Sequence, residues 1–145
     1  MLSVIMPVYN EEATLAEVVR QVLDAPCKLK KEIILVDDCS SDGSWRIAQS
    51  LAKEDQRIRV FHHHINRGKG AAVRTAIRQM RGKYAIIQDA DLEYDPKEYP
   101  SLLAPLLNGR ADVVFGSRFS VRYERCKHIP RRTKGLSSSF WQTGR

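Results

Sequence analysis

The sequence predicts an α/β fold in three layers, with a mainly parallel sheet between helices. Short apolar runs alternate with stretches of helical periodicity through residues 2–116, the order expected of successive β-α-β units. The run EIILVD at residues 32–37 is apolar without alternation, as in a strand covered on both faces. Polar clusters follow most of the apolar runs. Right-handed crossovers gather the carboxyl ends of parallel strands on one edge, so these clusters should converge there.

The elements follow in order. Leu2–Val8 (LSVIMPV) reads as the first strand. Residues 13–23 read as a helix, with Leu15, Val18, Val19, Val22 and Leu23 at helical spacing. Asn10 or Thr14 stands where a cap belongs, and Pro26 closes the region. Residues 32–37 form the second strand. The turn at residues 38–43 ends in Gly43, expected to supply an unusual backbone angle. Residues 44–53 form a helix whose inward stripe is Ile47, Ala48, Leu51 and Ala52. Ile58–His62 is the third strand, and the loop at residues 66–70 opens a helix running to about Met80. Residues 84–88 are the fourth strand, ending at Asp89. Residues 96–107 are helical, with Pro100 and Pro105 as expected breaks. Residues 112–116 (DVVFG) make a fifth strand. From about Ser120 the rhythm is lost, which predicts a folded body over residues 1–119 and a basic, poorly ordered tail over residues 120–145.

Composition narrows the function. At 145 residues the chain suits one domain. No apolar run reaches 18 residues, and the apolar start lacks a basic lead and contains Pro7, so neither a membrane span nor a secretory signal is expected. Cys27, Cys39 and Cys126 are odd in number and unclustered, which fits idle thiols in a reducing compartment. A cytoplasmic protein is expected. The net charge of +7 is confined to the end: residues 117–145 hold eight basic side chains against Glu124 alone. The body is therefore not a basic nucleic-acid surface, while the tail suits peripheral contact with the cytoplasmic face of an anionic membrane.

Three clusters carry chemistry. Asp89-Ala90-Asp91 follows an apolar strand, where residues two apart can share a side. Two carboxylates make a hard-oxygen site for Mg2+ or Mn2+, with phosphate oxygens and water completing the shell. Glu93, two residues further on, is a candidate third ligand or a holder of a coordinated water. A lone acidic triplet is more often a solvated turn, but placement at a buried strand's end favours the metal. In the second cluster, residues 37–43, a carboxylate is placed to accept hydrogen bonds from a base or ribose. Asp42 is better read as a helix cap, whereas the adjacent acids Asp37 and Asp38 would repel each other without a partner. The third, Asn66-Arg67-Gly68-Lys69-Gly70, allows close approach of an anion to a helix N-terminus, although its spacing is not that of a P-loop and alone it reads as an ordinary turn. His62-His63-His64 is not read as a metal site, because neighbours on a strand face opposite ways; one buried and two exposed histidines are expected.

Val4-Ile5-Met6-Pro7-Val8-Tyr9-Asn10-Glu11-Glu12 resembles the opening motif of glycosyltransferase family 2, and residues 36–44 resemble its second motif. Residues 66–74, residues 88–96 and Gly116-Ser117-Arg118-Phe119 resemble the branch that makes polyprenyl-phosphate sugars, the dolichol-phosphate mannose or glucose synthase type. The resemblance covers residues 2–119 and implies a GT-A, Rossmann-like fold that binds a nucleotide sugar. Pro7, Tyr9, Glu11 and one of Asp37 or Asp38 would hold the nucleoside, with Lys69 near the nucleotide. Asp89 and Asp91 would hold Mg2+ or Mn2+ on the diphosphate, with Glu93 nearby. Arg118 would lie near the phosphates or acceptor and act with Asp91 in catalysis. The implied reaction is metal-dependent, inverting transfer of a hexose from a UDP-glucose or GDP-mannose type donor, with polyprenyl phosphate as acceptor, in glycan or cell-envelope biosynthesis. The alternatives are a nucleotide-sugar-binding chain without transfer and a binder of anionic membrane surfaces through the tail.

Overall fold

The structure, a computed structural model, describes residues 1–116. Ser117, Arg118, Phe119 and the expected tail at residues 120–145 lie outside the described residues. The chain divides into two units, Met1–Ser101 and a second beginning at Leu102.

The first unit is built on four strands: β1 (Leu2–Val8), β2 (Lys31–Asp37), β3 (Ile58–His62) and β4 (Tyr84–Ile87). They pair in the order β3-β2-β1-β4, every neighbour parallel. Helices α1 (Leu15–Asp24), α2 (Ser44–Glu54) and α3 (Lys69–Gln79) fill the crossovers. The sheet is thus the α/β arrangement expected, and β1 and β2 are buried along nearly their whole length.

Alternation along the strands sorts side chains between the layers. Ile5 of β1 and Ile34 and Val36 of β2 pack against Ala72 and Ala76 of α3, with Phe61, Val73 and Met80 around them. Two alanines one turn apart let α3 lie close on β1 and β2, and each large apolar side chain enclosed there contributes roughly 1.5–3 kcal/mol. The opposite face meets α2, which lies over β2 and β3 and brings Trp45 within 4.8 Å of the His62 ring. Helix α1 packs beside α2 and buries Leu15, Val18, Val19 and Val22, four of the five residues that set its periodicity in the sequence.

A polar knot pins the amino-terminal edge of the sheet. Buried Glu32 accepts from Ser3 Oγ (2.6 Å), Arg81 N (2.6 Å) and Gly82 N (3.2 Å). Arg59 bridges Glu32 and the Gln79 carbonyl. Burial pushes the Glu32 carboxyl up, but these donors outweigh it and leave the group below its usual range. A side chain on Gly82 would meet Ser3 Oγ at 2.6 Å and the Met1 carbonyl at 2.8 Å, so close approach requires glycine there.

Pro7 lies in a central strand, where proline normally removes a ladder bond. The Val8 carbonyl accepts from Asp38 N on the β2 side, and the Ile5 carbonyl accepts from Gln88 N on the β4 side. Residues of one parity face one neighbour, so Pro7 faces β4. Pairing of β1 with β4 stops at Ile5–Ile87, and the missing N–H falls where the ladder has already ended.

A 3-10 turn at Pro96–Glu98 leads into α4 (Tyr99–Leu107). Pro100 sits in its first turn, where no N–H partner is needed, and Pro105 lies inside the helix without ending it. Gly109, at φ +65°, follows α4, in the left-handed conformation that commonly terminates helices. In the second unit the expected strand at residues 112–116 is not formed. These residues join no ladder, and Val113 and Phe115 are 60% and 88% exposed. An apolar run becomes a strand only where a neighbouring edge takes up its backbone hydrogen bonds. Among the described residues no helix is long and apolar enough to cross a membrane.

Candidate functional site

β1 is followed in sequence by β2 and then β3 on one side, while β4 joins on the other. The chain therefore reverses direction across the sheet between β1 and β4, and open parallel sheets bind ligands outside their carboxyl ends at such a point. A cleft of about 350 Å³ opens there, lined by Pro7 near the end of β1, Tyr9 and Glu11 after it, Asp38 after β2, Gly68 and Lys69 at the start of α3, and Asp89 and Asp91 after β4.

The loops around the cleft are stitched to one another. Asn10 N donates to Ser40 Oγ, and Asn10 Oδ1 accepts from Ser41 N at 2.8 Å. Glu11 N donates to Ser44 Oγ at 2.8 Å. Glu12 N donates to Asp42 Oδ2, while Glu12 Oε2 accepts from Gly43 N at 2.6 Å. Asp42 also takes Ser44 N at 2.9 Å, a turn one residue before the N-cap position, which Gly43 holds without a side-chain cap bond; Asp42 thus ties the first loop to the start of α2 instead of capping the helix as expected. Gly43 has an ordinary helical φ of −75°, contrary to expectation. A Cβ there would stand 2.7 Å from Glu12 Oε2, the end of a flexible side chain that would have to shift from its bond to Gly43 N. The positive φ of this turn falls on Cys39 (+63°) instead, and Asn10 (+56°) and Leu92 (+65°) share that conformation in the loops after β1 and β4. Such backbone is costly for non-glycine residues and clusters where function constrains the chain.

The register of β2 with β3 explains the adjacent acids. Asp37 is opposite His62, so the two pairs point to opposite faces. Asp37 accepts from Ser40 N and contacts His62 Nδ1 at 2.9 Å on the α2 side. Asp38 contacts His63 Nδ1 at 2.6 Å and accepts from Arg67 N and Gly68 N, the latter at 2.6 Å. His63 Nε2 reaches Thr75 Oγ1 of α3. Burial pushes the Asp38 carboxyl up, but His63 and the two amides overcome this and hold it below the usual carboxylate range. Of the two acids offered for the nucleoside, Asp38 lines the cleft and Asp37 does not. Of the three histidines, His63 is buried, His62 half-buried and His64 exposed. The role of His63 was not visible in sequence, since it depends on which strand lies beside β2.

Gly68 caps α3 at φ 82°, ψ 157°, a region open almost only to glycine. Its N–H goes to Asp38, and the amino end of α3 then faces the cleft, where the helix dipole favours an anion. Gly68→Ala meets no steric obstacle, so its cost is conformational: about 1–3 kcal/mol of stability, read as a lowered denaturant midpoint with an unchanged slope.

Asp89 and Asp91 both line the cleft. Asp89 Oδ2 is 2.7 Å from Lys69 Nζ, and Asp91 Oδ1 accepts from Glu93 N at 3.1 Å. Beneath them buried Gln88 donates to the Asp89 and Tyr94 carbonyls and accepts from Tyr99 Oη at 2.8 Å, fixing the loop from below. Burial pushes the Tyr99 phenol up, so it stays a donor. Glu93, expected as a third ligand, is not among the cleft-lining residues. β4 ends at Ile87, so strand alternation does not extend to Glu93, and Leu92 before it has a positive φ of +65°. Among the described residues no three His, Cys, Asp or Glu side chains are grouped to hold a metal.

Comparison with known proteins shows the family. The Glycosyl transferase family 2 profile matches residues 3–142. A dolichol-phosphate mannosyltransferase of Pyrococcus furiosus is 32% identical over 99% of this chain and 40% of its own length. An undecaprenyl-phosphate 4-deoxy-4-formamido-L-arabinose transferase of Pseudomonas fluorescens is 41% identical over 71% of this chain and 31% of its own length. This chain thus spans less than half of either relative. Among solved structures, a mannosyltransferase from Pyrobaculum calidifontis, in complex with GDP-Man and Mn2+, superposes with a TM-score of 0.63 at 27% identity, covering 77% of this chain and 32% of that one. S. aureus TarS with UDP-GlcNAc gives a TM-score of 0.63 at 27% identity, covering 74% of this chain and 31% of that one. With a profile match over nearly its whole length and a GT-A architecture in its solved neighbours, the chain belongs to glycosyl transferase family 2.

Proposed function

We propose that this chain binds a nucleotide sugar in the cleft at the β1–β4 reversal and that its hexose is transferred, with inversion, to a polyprenyl phosphate. The observation that carries the reading is convergence: residues following β1, β2 and β4 and opening α3 line one cleft. The nucleoside is assigned to Pro7, Tyr9, Glu11 and Asp38, with the half-exposed Tyr9 ring offering an aromatic face to a base. The diphosphate is assigned to the amino end of α3 and Lys69, and Arg118, outside the described residues, to the phosphates or acceptor.

The residues present fit a divalent metal. Asp89 and Asp91 are hard oxygen donors on one cleft wall, and two protein carboxylates with phosphate and water are a usual shell for Mg2+ or Mn2+. Bound there, the metal would neutralise charge developing on the departing nucleoside diphosphate. A lipid phosphate is already an anion near neutral pH, so it attacks without a general base, and the reaction sits at a membrane surface reached from the cytoplasm. The relatives that name polyprenyl-phosphate substrates support this acceptor class.

Calorimetric titration of UDP-glucose and GDP-mannose, with and without Mn2+, is expected to show binding that requires the metal. Equal binding in excess chelator would contradict the metal assignment. Transfer of radiolabelled hexose to polyprenyl phosphate tests the acceptor; donor binding without transfer would leave a nucleotide-sugar-binding protein.

A further inference from the structure

We infer that Lys69 is a built-in counter-ion for the metal-binding acids, holding Asp89 until metal and diphosphate arrive and then moving to the diphosphate. The inference rests on the reading of Asp89 and Asp91 as the metal pair. Lys69 Nζ lies 2.7 Å from Asp89 Oδ2, and this is the only salt bridge made by a cleft-lining acid to a lysine or arginine among the described residues. The lysine side chain is 62% exposed and the aspartate 17%. The ammonium therefore reaches Asp89 from the open side of the cleft, from which a ligand would also come.

Three physical points make this pair an exchange site. An exposed ion pair is weak, so it can be given up cheaply. Lysine's ammonium sits on a flexible four-carbon stem with three donors and can serve a carboxylate or a phosphate without movement of the backbone. Lys69 is the first residue of α3, and its neighbour Gly68 is fixed by Asp38 and by a glycine-only conformation. The side chain swings from a rigid base. While the cleft is empty, Lys69 offsets the charge of Asp89 beside Asp91. A divalent cation entering alone must displace an ammonium and then tolerate it nearby. A cation entering with a diphosphate brings two negative groups to which the ammonium can transfer. Lys69 would thus disfavour metal alone and favour metal together with nucleotide, making binding of the two cooperative.

The test measures Mn2+ binding to the full chain by the electron paramagnetic resonance signal of free Mn2+, with and without UDP or GDP, at low salt. For Lys69→Met, Mn2+ alone should bind about tenfold tighter than to wild type. With Mn2+ saturating, the nucleoside diphosphate should bind about tenfold more weakly. Lys69→Arg, which keeps the charge, should show no gain for Mn2+, and both effects should shrink as salt is raised. A purely structural lysine would not move the two affinities in opposite directions. Equal Mn2+ affinity in wild type and Lys69→Met, with both binding, overturns the counter-ion role and leaves the metal site standing. No Mn2+ binding by any variant, with or without nucleotide, overturns the metal reading and the counter-ion role with it.

Discussion

Replacing Asp91 with alanine should weaken Mn2+-dependent binding of the nucleotide sugar at least about 100-fold, the upper end of what loss of a metal site's supporting partner costs, with little loss of stability. The two effects separate because of where Asp91 sits. It is exposed and accepts a single hydrogen bond, from Glu93 N, so stability should change by no more than about 0.5 kcal/mol. Its cleft position carries the rest. Calorimetry with and without Mn2+ reads the first quantity and thermal denaturation the second. If Asp91→Ala bound donor as well as wild type at saturating Mn2+, the acid would be the solvated turn that a lone DxD usually is.

Asp38→Asn should affect both quantities. Asp38 is 2% exposed and receives His63, Arg67 N and Gly68 N. An amide supplies one acceptor oxygen and turns its NH2 toward those donors. Losing charge-assisted bonds of this kind costs about 2–3 kcal/mol, and the start of α3, fixed through Gly68, should lose donor binding as well. The pH dependence has a definite sign. The folded-state pKa of Asp38 is depressed, so its contribution is complete above the unfolded value of about 3.9 and disappears as pH falls through the lower folded value. Denaturant midpoints of wild type and variant should differ by a constant amount above about pH 4 and converge in more acid solution. A gap that persists undiminished well below that range would show that the carboxylate charge is not what the variant removes.

Much of this fold was legible because each strand is specified by its own residues. Leu2–Val8 and Ile58–His62 match the expected strands to the residue, and α2 begins at Ser44 as its turn cluster indicated. The run at residues 112–116 has equal strand character and forms none. The Gly43 expectation failed for a related reason: a glycine permits an unusual backbone angle without requiring one, and only the folded turn shows that its φ is an ordinary −75° while Cys39 carries the positive φ.

For the site, sequence alone determined the chemistry at the strand ends. Pro7, Tyr9, Glu11, Asp38, Lys69, Asp89 and Asp91 come from separate segments, and a parallel sheet with right-handed crossovers leaves them one edge on which to meet. Tertiary structure alone put Asp38 and not Asp37 on the cleft, paired each with its histidine, set Gln88 and Tyr99 beneath the acidic loop, and left Glu93 out of the cleft lining. Strand character and carboxylate chemistry belong to single residues and their near neighbours. A face, a register or a partner belongs to two segments at once, and no stretch of sequence carries it until the chain has brought them together.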